Sequence, residues 1–129
     1  MKKIKRAKMN GETMYENFKN AYDKLSELLK NERNFEAFVL AFSILEDRVN
    51  ATYFTLFKLH GFKEKSAYIP LWSKVKVLIA TNIISVKNAM ELKTIADERN
   101  NRIHSYFLND VSFTEEDVKN IVFLIRAID

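Results

Sequence analysis

The sequence predicts an all-α fold, a single-domain antiparallel bundle of about five helices, and three observations carry that expectation. The 129 residues include two Gly and one Pro, far too few for a turn-rich β architecture. Apolar residues make up 47% of the chain, and they recur at three- and four-residue steps rather than in alternation. A chain of this length and apolar content holds one domain with a real core.

From Glu12 to Lys30, the positions Met14, Tyr15, Phe18, Tyr22, Leu25, Leu28 and Leu29 form one stripe, which predicts an amphipathic first helix. The second runs from an Asn34 N-cap to His60 through Phe35, Phe38, Val39, Phe42, Leu45, Val49, Tyr53, Leu56 and Phe57, and stops at Gly61. It is the longest and most apolar, hence the expected centre of the core. Lys63 to Ser66 is polar; Pro70 then suits the first turn of a third helix carrying Leu71, Val75, Leu78 and Ile79. Ser85 restarts the chain into a fourth, through Met90, Leu92, Ile95, Ala96, Ile103 and Phe107, ending at Asn109-Asp110. Thr114 opens a fifth, to Arg126. Its hydroxyl has a carboxylate, Asp117, at the capping-box spacing, and Glu115 and Glu116 place further anions over the positive helix end.

The chain has no Cys, which removes a disulfide framework, thiolate zinc sites and a Cys nucleophile, and fits a reducing cytoplasm. Behind the basic start Met1-Lys2-Lys3-Ile4-Lys5-Arg6 there is no apolar run, so it does not read as a secretion signal. No stretch reaches transmembrane length. The net charge of +4 is uneven: Lys2, Lys3, Lys5, Arg6 and Lys8 supply five of the 21 basic residues, leaving 16 against 17 acidic. The sequence therefore divides into a basic N-terminal arm, 1–11, and a near-neutral helical domain, 12–129. Such an arm can hold an anionic polymer loosely through phosphate contacts, and the plainer reading is a solvated, disordered terminus. There is no internal repeat and no low-complexity tract.

Chemistry concentrates in Arg99-Asn100-Asn101-Arg102-Ile103-His104-Ser105-Tyr106. A guanidinium carries a permanent charge and a planar fork of donors suited to phosphate, and imidazole moves a proton near neutral pH. Together they read as phosphate chemistry without a metal. No His/Asp/Glu grouping has metal-ligand spacing and no Gly-rich phosphate loop occurs, so no metal, cofactor or nucleotide-hydrolase reading has support. His60, before Gly61, reads as a helix-terminal cation instead.

On an ideal helix, Asn100 and His104 fall about 40° apart, whereas Arg99 and His104 fall about 140° apart and about 7.5 Å along the axis. Arg99 and His104 of one straight helix cannot easily grip one phosphate. Either the helix bends near Asn101, or two copies of the chain share a site across a two-fold axis, making a homodimer part of the mechanism. Arg99 also lies in line with Leu92, Ile95, Ile103 and Tyr106, and Glu46 is similarly placed beside Phe42, Val49 and Asn50. Charges in apolar stripes need partners, so Glu46 or Asp47 should approach Arg99 or the polar groups around it.

The series Arg99-Asn100, three residues, His104, one residue, Tyr106 resembles the signature of the HEPN superfamily, and its Tyr resembles the variant in HEPN toxins of HEPN/MNT toxin-antitoxin pairs. The likeness covers about ten residues and the helix order; Arg102 stands where that pattern carries an apolar residue. The resemblance implies a small helical dimer with both motif copies in a shared cleft, acting in its active members as a metal-independent endoribonuclease, a toxin or antiviral defence component. Arg99 and His104 would be catalytic. Asn100 would orient His104 or the phosphate, and Tyr106 would contact RNA or accept an adenylyl group from a nucleotidyltransferase antitoxin. Glu46 and Asp47 would support the site. Lys2, Lys3, Lys5, Arg6, Lys8 and Arg102 are the candidate RNA-binding cations. The alternatives are a catalytically silent HEPN-like module that binds RNA, nucleotide or protein, and a helical dimerisation or inhibitor protein. For Tyr106 the competing reading is an ordinary core aromatic at helical spacing.

Overall fold

A computed structural model describes residues 11–59, 69–109 and 113–128, with side chains for all but 11–18, 57 and 105–109. Among the described residues there are five helices and no strand: α1 (Gly11–Lys30), α2 (Asn34–Leu59), α3 (Leu71–Ala80), α4 (Val86–Asn109) and α5 (Glu115–Ile128). The fold is all-α, and each helix begins and ends within two residues of the bounds read from periodicity. No described helix is long and apolar enough to cross a membrane. The basic arm, the stop at Gly61, the polar stretch at 63–66 and Asp110 lie outside the described residues.

Local chemistry places the helix ends. Ser85 caps α4: its Oγ accepts from the Asn88 amide at 3.1 Å and its carbonyl from Ala89 at 2.9 Å. Thr114 and Asp117 form a reciprocal box at α5, with the Asp117 amide donating to Thr114 Oγ1 and the Thr114 amide donating to Asp117 Oδ2. Pro70 stands one residue before α3, its carbonyl accepting from Ser73 and Lys74. The expected Asn34 cap is shifted by one: Asn34 is already helical, and the Ala37 amide donates to the carbonyl of Arg33.

Two of the joints share one device. At the end of α1, the Arg33 amide donates back to Leu28 and that of Glu32 to Leu29; after α3, Ile83 donates to Leu78 and Asn82 to Ile79. This paired pattern closes a helix through one residue in the left-handed region. Here those residues are Glu32 (φ 58°) and Asn82 (φ 59°), neither of them glycine.

The core is centred on α2, which packs against α1, α3 and α5. Phe38, Phe42, Leu45 and Val49 of α2 meet Val118, Ile121, Leu124 and Ile125 of α5, with Val75 and Leu78 of α3 and Leu92 of α4 completing one buried cluster. Removing a side chain of this size from water contributes about 1.5–3 kcal/mol. Phe113, just before the α5 cap, joins the core with its ring 4.7 Å from Phe38 and 5.5 Å from Phe35. Periodicity over-counted the core at two places: Val39 and Met90 are largely exposed.

Candidate functional site

α4 packs on α3 and α5 and reaches α2 through long side chains. The principal bridge is Arg99. Its Nη1 donates to Glu46 Oε1 at 2.5 Å, and its guanidinium carbon stands 4.6 Å from the centroid of the buried Phe42 ring. Periodicity explains the meeting, because Phe42 and Glu46 are successive residues of one α2 stripe and Arg99 continues the Leu92–Ile95 stripe of α4. The side chains are 36% and 38% exposed, so the pair sits at the edge of the core with solvent access rather than sealed within it. Asp47, the other carboxylate considered for this role, is exposed.

Arg102 makes a different kind of contact. Both its terminal nitrogens are engaged by Asp117, Nη1 to Oδ1 at 3.2 Å and Nη2 to Oδ2 at 2.9 Å, and its guanidinium lies near the rings of Phe113 (4.8 Å) and Phe38 (5.5 Å). Expected among the RNA-binding cations, it joins α4 to the α5 cap. Burial pushes the Asp117 carboxyl upward, but the hydrogen bonds from Arg102 and Thr114 outweigh it and hold the group below its ordinary value. The two arginines are thus unequal: Arg102 has spent its fork on one carboxylate, whereas Arg99 meets Glu46 through one nitrogen.

α4 runs unbroken from Val86 to Asn109, so the motif carries no helix break at Asn101. Arg99 is turned to α2 while Asn100 and His104 are exposed. A single chain therefore offers the cation and the imidazole on different faces, as the 140° separation requires. The Tyr106 side chain lies outside those described, as do Lys2, Lys3, Lys5, Arg6 and Lys8.

One polar group near this site was missed from sequence. Lys74 is 5% exposed; its Nζ donates to Asn50 Oδ1 at 2.6 Å and stands 5.5 Å and 6.0 Å from the ring centroids of Phe54 and Tyr53. The signal was its spacing, three after Leu71 and four before Leu78, which places it on the buried face of α3. Two surface depressions lie apart from Arg99 and His104: one of about 430 Å³ beside Arg48, Thr52 and Leu56, another of about 380 Å³ beside Met90, Thr94 and Asn120. Among the described residues no three His, Asp or Glu side chains are grouped to hold a metal ion.

Compared with models of protein families, with curated proteins and with solved structures, the chain matches none.

Proposed function

We propose that this chain is a metal-independent endoribonuclease of HEPN type, a toxin or defence component acting as a homodimer in the cytoplasm. The observation that carries the reading is the state of Arg99. It is oriented by Glu46 and Phe42, it is more than one-third exposed, and its contact with Glu46 engages one of its nitrogens. A guanidinium so placed keeps donors for a phosphate.

In this reading an imidazole takes the proton of a ribose 2′-hydroxyl, the oxygen attacks the adjacent phosphorus, and the bond to the 5′-oxygen breaks as that oxygen receives a proton. His104 of one copy, facing Arg99 of the other, takes that proton and returns it to the leaving 5′-oxygen. Arg99 stabilises the charge that grows on the phosphorane-like transition state. Asn100, exposed beside His104 on α4, orients the phosphate or the imidazole. The placement of Arg99 and His104 on different faces of an unbroken helix supports a site assembled from two protomers. The arm at Lys2 to Lys8 adds sequence-independent affinity for RNA, and Tyr106 contacts RNA or accepts an adenylyl group from a nucleotidyltransferase partner.

The test is cleavage of RNA, and not DNA, in EDTA. Arg99→Ala and His104→Ala should each lose about 100- to 1,000-fold in rate; equal cleavage by all three proteins removes the proposal. The Arg99–Glu46 pair also favours a second reading, since it joins α2 to α4 whether or not RNA is cut. A silent RNA-binding module would keep salt-sensitive binding without cleavage. A dimerisation or inhibitor protein would keep its activity in His104→Ala.

A further inference from the structure

Lys74 and Asn50 together form a feature that the motif does not explain. An ammonium has three donors and no acceptor, so the Asn50 atom facing Lys74 at 2.6 Å is the carbonyl oxygen, whichever way the amide is first assigned. Lys74 is buried and seated near two aromatic rings, surroundings that strengthen its bond to that oxygen. The Asn50 NH2 group is therefore turned away from Lys74, in a residue that is itself half-buried. Asn50 lies one helical turn beyond Glu46, about 6 Å along α2, and Glu46 in turn orients Arg99. Phe42, Glu46 and Asn50 thus follow one another along a single α2 face, with a cation from α4 over the first two and a buried cation from α3 behind the third.

We propose that Asn50 is an RNA-binding residue, its NH2 donating to a non-bridging phosphate oxygen of the nucleotide next to the one gripped by Arg99, and that Lys74 is a positioning residue that fixes the amide for this contact. The inference rests on the ribonuclease reading. Neutral amide donors are common partners of backbone phosphates, and one whose rotation is already arrested loses little freedom on binding.

Asn50→Asp separates this role from a purely structural one. The carboxylate keeps the shape and still accepts from Lys74, now as an ion pair, but offers the phosphate a negative charge in place of two donors. With an uncleavable 2′-O-methyl RNA oligonucleotide, the expected result is a melting temperature no lower than wild type and a Kd raised by about tenfold or more. The loss should persist at about 0.5 M salt, where the field of an added charge is screened. A Kd within about twofold of wild type overturns the proposal. Should Asn50→Asp fail to fold, Lys74→Met decides instead: with the amide free to turn, Kd should rise by about threefold, and an unchanged Kd is contrary. Arg99→Ala, measured alongside, divides the failures. If it binds as wild type does, the ribonuclease site itself falls; if it binds weakly while Asn50→Asp does not, the Asn50 contact alone falls.

Discussion

Arg102 grips Asp117 with both terminal nitrogens, at 3.2 and 2.9 Å, and the same Asp117 carboxylate accepts from the Thr114 amide and hydroxyl at 2.9 and 3.0 Å. One anion thus closes the first turn of α5 and fastens it to the motif half of α4. The side chains are 30% and 24% exposed, sheltered enough for the bidentate geometry to contribute to stability.

That carboxylate gives the molecule an acid-sensitive element. Because the folded pKa of Asp117 is lowered, its stabilisation is complete above the unfolded value, about 3.9, and is lost as pH falls through the folded pKa. Asp117→Asn should cost about 1 kcal/mol at neutral pH, or about 3–5 °C in Tm. Thermal melts of both proteins from pH 7 downward should converge in acid; a gap that stays constant would refute the assignment.

The Arg99–Glu46 pair is more exposed, and its contribution to stability is correspondingly smaller. Glu46→Gln should cost at most about 1 kcal/mol. Arg99→Ala should cost somewhat more, because it also forfeits the contact with Phe42, 4.6 Å from the guanidinium. A double-mutant cycle by denaturant unfolding should return a coupling of about 0.5–1 kcal/mol, and zero coupling would mean that the pair does not form in solution.

The proposal that the site spans two protomers makes a prediction that single variants cannot test. Arg99→Ala and His104→Ala, each inactive alone, should recover RNA cleavage when unfolded together and refolded as a mixture. A mixed dimer retains one site with an intact Arg99 from one copy and an intact His104 from the other. Mixtures as inactive as the separate proteins would argue for a site within one protomer.

Core truncations set the scale for the rest. Leu45 and Ile125 are fully buried in the cluster where α2 meets α5. Leu45→Ala and Ile125→Ala should each cost about 2–5 kcal/mol in urea unfolding, whereas Phe123→Ala, at a residue 59% exposed, should stay within about 0.5 kcal/mol.

Helix bounds could be read closely because a 3.6-residue apolar period, few Gly and strong capping residues all point the same way in this chain. The Glu46–Arg99 meeting was equally readable, since two charges in two apolar stripes have few ways to avoid each other. Arg102 was harder. Its residue type suits RNA, and the fact that it faces Asp117 depends on how α4 and α5 are set against each other, which periodicity does not contain. Lys74 carried a readable spacing, but nothing local marks which buried lysine will find an amide and two rings. Phe113 lies in no helix, so no period announced its place in the core. The shared cleft required by the ribonuclease reading depends on a second chain, which no pattern within one chain specifies.

The joint after α1 leaves an unused margin. Glu32 holds a left-handed conformation at φ 58°, where a β-carbon is strained by about 1 kcal/mol and glycine is not. Asn82, at φ 59° in the equivalent joint after α3, is a residue type that tolerates the conformation better. Glu32→Gly is therefore a route to a sturdier protein that leaves Arg99, His104 and the α2 polar face untouched, a useful background for carrying destabilising variants of those residues through purification.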